Sequence, residues 1–340
     1  MREVIASAPG KVNLTLRAGA PAPGGRHPLV TVFEALDVRE TVRARTSRSP
    51  GIRVRTTAHR ADGSVDVETS AALDALSARD HLAVRAARLL QGLAAQGPWG
   101  STAAGLTLDI DKRVPVAGGM AGGSADAAAA LVACNELWGL GLSGAQLLTL
   151  GARLGADVPA CLLGGVSLGR GFGDRLEPLL PGIDEGGVDA DRADPGEWPH
   201  HWVMAMSWEG LATPDVFHAL DAQGGPGNGG TWPALVDPTP VELSALTGPA
   251  RGLAGVLAND LEAPARRLRP ELAHTLASAR AAGALGVVLS GSGPTVAALC
   301  TDADHARHVA EALRGAPTVA GVLLTRGPAR GARIESEESN

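Results

Sequence analysis

Tyrosine is absent from this chain of 340 residues, and phenylalanine occurs only three times. Aliphatic side chains must therefore carry most of the core, helped by six tryptophans. Cysteine is almost as scarce. Cys134, Cys161 and Cys300 stand far apart in apolar surroundings, which excludes a disulfide framework and a Cys-based zinc spacing. The nine histidines form no zinc motif either. No uninterrupted apolar run could cross a bilayer, and residues 1–20 carry Arg2, Glu3, Lys11 and Arg17 where a secretory leader needs an apolar centre. Excess positive charge is missing too. With 36 acidic and 30 basic residues the net charge is −6, so neither nucleic acid nor an anionic membrane is attracted globally, although a local basic pocket for a phosphorylated metabolite stays open. These absences point to buried thiols in a reducing compartment, with the cytoplasm as the expected location.

The sequence has enough length and apolar content (45% hydrophobic) to bury two domains. Alternation predicts strands over 4–16, broken at Pro9 and Gly10, over 29–33, and within 38–67. A helix is expected over 80–93, a strand over 106–110, and helices over 127–138 and 145–154. Later strands fall at 166–168, 202–206, 285–289, 296–299 and 319–324. Helices are expected over 215–220, within 260–282 and over 305–313. Stretches 181–200 and 222–240, rich in Pro, Gly and Asp, read as surface loops, and the charged end from 326 reads as a solvent-exposed tail.

The densest signal is PVAGGMAGGSAD at 115–126, a glycine loop running straight into alanines. Such a loop can gather backbone N–H groups around a phosphate and set the positive end of a helix beneath it. The residues concerned are Pro115, Ala117, Gly118, Gly119, Met120, Ala121, Gly122, Gly123 and Ser124. The lysine that closes a P-loop is missing. A plain turn in a Gly-rich chain is the competing explanation, which the abrupt helix start disfavours. Ser124 or Asp126 can cap that helix, and Ser124 can also lend its hydroxyl to a metal or phosphate.

Four further places hold chemistry. Lys11 would ordinarily be a solvated surface charge; in a closed site it could neutralise phosphate or activate a hydroxyl. Asn13 shares its strand face. Asp157, in the turn 155–159, is either a turn or cap residue or a carboxylate that orients an alcohol. The second small-residue loop, 290–293, either reverses the chain or closes a crevice between domains, and His27 reads most simply as a structural hydrogen-bonding group.

Taken in order, APGKVNL at 8–14, HPLVTVF at 27–33, DKRVP at 111–115, the glycine loop, GADVP at 155–159 and SGSGPT at 290–295 resemble the GHMP small-molecule kinases across most of the chain. The resemblance implies an α+β, two-domain fold. Its N-terminal ATP-binding domain, resembling a ribosomal-protein domain with left-handed βαβ connection, would span 1–175. A C-terminal ferredoxin-like substrate domain would span 176–327, and a flexible tail 328–340. Lys11 and Asp157 would be the catalytic pair, and the 115–124 loop would hold the phosphates of ATP, with Mg²⁺. Asn13, Arg26, His27, Asp157, Thr213, Gly291 and Ser292 would contact the acceptor, with His27 near its cytosine end. The branch it most resembles phosphorylates the 2-hydroxyl of 4-diphosphocytidyl-2-C-methyl-D-erythritol in non-mevalonate isoprenoid precursor biosynthesis, giving the 2-phosphate and ADP. No nucleic acid or membrane partner is expected, and the chain should act as a monomer or weak homodimer. Two departures stand out. Arg26 replaces the aromatic that usually precedes the histidine, and the 211–214 segment lacks the usual lysine. Relatives acting on mevalonate or homoserine, and a catalytically silent nucleotide-binding protein, are the alternatives.

Overall fold

The computed structural model describes residues 2–77, 80–97, 100, 103–182, 199–226 and 232–339. It opens with two long strands, β1 (Arg2–Ala18) and β2 (Leu29–Thr46), followed by β3 (Gly51–His59), β4 (Val65–Asp66), α1 (Val67–Asp74), α2 (Leu82–Ala94) and β5 (Gly105–Lys112). Helices α3 (Gly122–Leu137), α4 (Gly144–Leu154) and α5 (Val158–Leu163) come next, then β6 (Val166–Arg170) and β7 (Arg175–Leu180). The later half holds β8 (His200–Met206), α6 (Thr213–Ala222), α7 (Pro240–Leu246), α8 (Ala250–Ala254), β9 (Ala258–Asn259), α9 (Glu262–Leu268) and α10 (Leu272–Ala281). It closes with β10 (Gly286–Leu289), β11 (Val296–Cys300), α11 (Ala303–Arg314), β12 (Gly321–Gly327) and β13 (Arg333–Ser339).

Two sheets result. The larger runs β13-β1-β2-β5-β3-β4, with β6 and β9 also attached to β2 and β1, and β7 to β6. Within it β3 and β5 are parallel, joined through α1 and α2. The smaller is β10-β11-β8-β12, antiparallel throughout. In chain order its strands are β8, β10, β11 and β12, with helices after the first and third, which is the ferredoxin-like βαββαβ arrangement.

The alanines of α3 explain how one sheet carries its helices. Ala125, Ala127, Ala128, Ala129 and Ala130 are buried among Ala83, Ala86, Ala87 and Leu90 of α2 and the sheet residues Val4, Val42 and Leu108. Small side chains let helix and sheet approach closely, and Trp138 fills the far end. Two further cores complete the molecule. Val12, Leu14, Val32 and Leu36 of the large sheet meet Trp202, Met204, Ala297 and Leu299 of the small one. Leu276, Ala279, Val309 and Leu313 of α10 and α11 cover the other side of the small sheet.

Several expectations change. Pro9 and Gly10 do not break the first strand; β1 passes through them with a register shift against β2 between Pro9 and Lys11. The third helix begins earlier than expected, at Gly122, so Ser124 and Asp126 lie inside it and its N-cap is Ala121, without a side-chain cap bond. The segment 328–340 is not a tail over its described residues. Arg333–Ser339 pairs antiparallel with β1, satisfying an edge that would otherwise expose its backbone groups. Glu335 accepts from the Ser7 hydroxyl, and Arg39 donates to the Arg330 and Gly331 carbonyls at 2.7 Å each. The 175/176 division falls at the first residue of β7, which pairs with β6 of the large sheet. Stretches 183–198 and 227–231, part of the expected loops, lie outside the described residues.

Candidate active site

Between β5 and α3 the chain makes a tight loop in which Ala117 (φ 53°), Gly119 (φ 76°) and Ala121 (φ 62°) all adopt the left-handed region. For the two alanines this costs on the order of 1–2 kcal/mol each, so the surroundings must hold them there. They do: the Lys11 backbone N–H donates to the Met120 carbonyl at 3.0 Å, and the loop 290–293 lies directly against Gly119. A Cβ on Gly119 would stand 2.1 Å from the Ser290 carbonyl oxygen, and one on Gly118 2.8 Å from Thr295 Oγ1. Close approach restricts both positions to glycine, and at Gly119 the backbone angle does so as well. With no side chain capping α3, the first amides of a sixteen-residue helix are left to an incoming anion.

Beneath the loop lies a buried charge cluster that the sequence pattern did not reveal. Lys112 Nζ donates to Glu40 Oε1 at 2.8 Å and to Asp126 Oδ2 at 2.7 Å, and the Arg113 N–H donates to Glu40 Oε2 at 2.7 Å. Burial pushes the Glu40 carboxyl up to about 8 against the pull of Lys112. Burial also opposes the Lys112 ammonium, but the two carboxylates overcome it and hold its pKa above the ordinary value. Gly122 rests on this cluster: a Cβ there would meet Glu40 Oε1 at 2.9 Å.

Lys11 is the centre of the site. It is 4% exposed, and its ammonium donates to Asn13 Oδ1 at 2.6 Å and the Gly119 carbonyl at 2.7 Å. Asp157 Oδ2 lies 3.6 Å away, and the Phe33 ring 5.9 Å away. Asn13 is fixed in turn, donating to Thr31 Oγ1 at 2.8 Å, which donates to the Thr15 carbonyl at 2.6 Å. Asp157 precedes α5 but makes no side-chain cap bond, so its carboxylate is directed to the cleft rather than spent on the helix.

The neighbouring walls come from both sides: Thr213, Gly291 and Ser292 from the smaller sheet's side, and Arg26, His27 and Phe172 from connections of the larger sheet. Thr213 Oγ1 and Ser292 Oγ are hydrogen-bonded at 2.8 Å, and Gly291 adopts φ 55° against the Lys11 ammonium. His27 is 6% exposed; its Nδ1 bonds the Gly19 carbonyl at 2.9 Å, while its ring stacks on Phe217 at 4.9 Å. Nε2 has no hydrogen-bond partner, and Asp221 Oδ1 stands 3.4 Å from it. Arg26 lays its guanidinium over the Phe172 ring at 3.9 Å. Apart from Gly19, all of these residues line one cleft of about 650 Å³, which also contains Ser124 and the loop from Pro115 to Gly123 except Val116 and Met120. Met120 is fully buried instead; it faces the core and contributes its carbonyl. Sequence reasoning missed Phe172, Phe217 and Asp221; Phe217 and Asp221 are i, i+4 on α6, one turn on from Thr213, a face spacing that could have found them, whereas Phe172 carries no such signal.

Comparison with known proteins adds an independent line. The descriptions GHMP kinases N terminal domain and GHMP kinases C terminal match residues 81–165 and 244–317. The 4-diphosphocytidyl-2-C-methyl-D-erythritol kinase of Nocardia farcinica is 41% identical over 336 residues, covering 99% of this chain and 97% of that protein. The protein of the same name from Cutibacterium acnes is 42% identical over 325 residues, covering 95% and 94%. A crystal structure of 4-(cytidine 5'-diphospho)-2C-methyl-D-erythritol kinase superposes with a TM-score of 0.69 at 31% identity, covering 96% of this chain and 99% of that one. An L. major mevalonate kinase, 16% identical with a TM-score of 0.65 and 96% of each chain covered, shares the fold alone.

Proposed function

This chain belongs to the GHMP kinase superfamily and is closely related to the 4-diphosphocytidyl-2-C-methyl-D-erythritol kinases, and from that footing we propose that it transfers the γ-phosphate of ATP to the 2-hydroxyl of that cytidyl diphosphate alcohol. The products are the 2-phosphate and ADP. The observation that carries the reading is the placement of Lys11: a buried ammonium touching the glycine loop on one side and facing a carboxylate and the acceptor wall on the other.

The chemistry follows from charge. Amides at the start of α3 hold ATP phosphates, and the Lys11 ammonium offsets the charge spread over the transferring phosphoryl group. Asp157 orients the acceptor hydroxyl and takes its proton as the new P–O bond forms, while the bridging bond to ADP breaks. Its 3.6 Å separation from Lys11 balances the pair without a direct hydrogen bond, leaving both groups able to turn toward substrate. Thr213, Ser292 and Gly291 enclose the alcohol, and Arg26 and His27 hold the cytosine end. Those two carry a π-face and an unpaired ring nitrogen to a planar base.

Mg²⁺ would be held beside the ATP phosphates by Ser124. Ser124, in the first turn of α3, lines the cleft with its hydroxyl 3.9 Å from the position of a Cβ on Gly155. One hydroxyl beside a phosphate cradle fits a hard cation that takes its other ligands from phosphate and water. When bound, the ion neutralises phosphate charge.

The deciding experiment supplies purified protein with ATP, Mg²⁺ and the cytidyl diphosphate alcohol, and follows the 2-phosphate by phosphorus NMR, with mevalonate and homoserine in parallel. Turnover of either competitor without turnover of the cytidyl compound rejects the assignment.

A further inference from the structure

The loop 290–293 is the ceiling over Lys11, and a side chain that does not line the cleft is hydrogen-bonded to it. Asn259 belongs to β9, a two-residue strand that pairs parallel with β1 at Thr15↔Ala258 and Leu16↔Asn259. The next residue reinforces this seat: the Asp260 N–H donates to the Leu16 carbonyl at 3.0 Å, and Asp260 Oδ2 accepts from the Ala18 N–H at 2.8 Å. The Asn259 backbone is thus registered to the strand that carries Lys11 and Asn13. Its side chain reaches the other way. Nδ2 donates to the Leu289 carbonyl at 2.7 Å and to the Gly291 carbonyl at 2.7 Å, while Oδ1 accepts from the Leu261 N–H at 2.8 Å. Two carbonyl acceptors on one side and an N–H donor on the other allow a single orientation of the amide.

What this amide holds is close to the reacting centre. A Cβ on Gly291 would stand 2.9 Å from Lys11 Nζ, 3.0 Å from the Gly119 carbonyl oxygen and 3.3 Å from Asn13 Oδ1. The adjoining Ser290 hydroxyl donates to the same Gly119 carbonyl at 3.1 Å, so Lys11 and Ser290 share one acceptor. Ser292 bonds Thr213 at 2.8 Å on the acceptor wall. A shift of this loop therefore moves the ceiling against Lys11, a hydrogen bond to Gly119, and the Thr213–Ser292 pair together.

We propose that Asn259 is a positioning residue for phosphoryl transfer: by clamping Leu289 and Gly291 to the strand that carries Lys11, it sets the distance between the acceptor wall and the catalytic ammonium. It does not line the cleft, and it acts through Gly291 and Ser292, which do. The inference rests on the kinase reading above.

Asn259→Asp tests it. The two shapes are nearly identical, but the substitution exchanges both donors for a carboxylate oxygen facing two carbonyl oxygens, which pushes the loop away. Because misplacement by about 1 Å costs on the order of 100-fold in rate, kcat should fall about 100-fold. The Kd of a non-hydrolysable ATP analogue, measured by calorimetry, should stay within about threefold, since the α3 amides are untouched. Asn259→Ala removes the donors without adding charge, and should lower kcat about tenfold with the same split; it carries the test if the aspartate variant does not fold. A residue with only a structural role would lower the melting temperature and leave kcat per folded molecule unchanged. That outcome, or a fall in kcat matched by equal weakening of the ATP analogue, overturns the proposal. Wild-type enzyme is run beside both variants. If it ignores the cytidyl alcohol but phosphorylates mevalonate or homoserine, the functional reading falls, and the same ratios are taken with that alcohol.

Discussion

Replacing His200 with leucine should cost the fold about 3–5 kcal/mol, whereas Glu34→Gln in the same network should cost about 1 kcal/mol or less. Glu34, on β2 of the large sheet, is fully buried against β8 of the small one. Its Oε2 lies 2.7 Å from His200 Nδ1, and its Oε1 accepts from Trp202 Nε1 at 2.9 Å. His200 Nε2 bonds the Gly248 carbonyl at 2.9 Å. Both ring nitrogens face acceptors, so the imidazolium is the form that satisfies them all. Burial opposes that charge, but the Glu34 carboxylate and the Gly248 carbonyl outweigh it and raise the His200 pKa above its ordinary value. Leucine at 200 leaves a buried carboxylate with Trp202 alone. Glutamine at 34 instead permits a neutral network, its Nδ1-facing amide donating to an imidazole whose Nε2–H still reaches Gly248.

The sign of the pH dependence follows. With a raised folded-state pKa, the pair's contribution is fully present below the unfolded histidine value of about 6.5 and is lost as pH rises through the folded value, by about 1.4 kcal/mol per unit of separation. Urea unfolding followed by tryptophan fluorescence, repeated from pH 6 to alkaline pH, measures this as the difference between wild type and Glu34→Gln. The difference should shrink with rising pH. A difference that stays flat, or a leucine variant no less stable than the glutamine variant, would refute the ion-pair reasoning.

Other outcomes are expected at the site. Asp157→Asn should lower kcat by about 10²–10⁴-fold with ATP-analogue binding nearly unchanged, the signature of a lost proton acceptor; near-wild-type turnover in it and in Lys11→Ala would remove the pair from the mechanism. Gly119→Ala places a Cβ at φ 76° inside the phosphate loop, 2.1 Å from the Ser290 carbonyl, so the phosphate loop itself must shift, and calorimetry should show ATP affinity reduced by about tenfold or more; unchanged affinity would mean that the left-handed turn at Gly119 does not shape the phosphate site. Arg26→Tyr should change the acceptor KM and leave that for ATP alone, and an effect confined to ATP would misplace the Arg26–Phe172 stack. Deleting residues 333–340 bares β1 and removes the Ser7–Glu335 bond, which should lower the melting temperature; an unchanged value in calorimetry would show that β13 contributes nothing.

Much of the site was legible along the chain because its chemistry is local. The glycine loop announces itself by density, left-handed angles are cheap for glycine, and Lys11 and Asn13 share a face by the two-residue period of a strand. Their 2.6 Å hydrogen bond is that period made visible. The helix start was misplaced because Ser124 and Asp126 resemble caps. Asp126 is instead drawn inward by Lys112, a partner fourteen positions away that no local rule weighs. The end of the chain was misread for the same reason: Arg333–Ser339 is polar enough for a tail, but β1 offers an edge whose backbone groups need partners.

By itself, then, the sequence determined which residues could handle phosphate and the type and rough position of the strongly periodic strands and helices, since those follow from composition and period. Whether Lys11 and Asp157 meet was decided only by the tertiary structure, which brings residues from β1 and the start of α5 to 3.6 Å. So were the buried cluster under the loop, the Glu34–His200 tie between sheets and the reach of Asn259 to the second loop. Each joins groups distant in the chain, and the cost of burying those polar groups is offset by their mutual hydrogen bonds and by the apolar packing around them, which no short window of sequence contains.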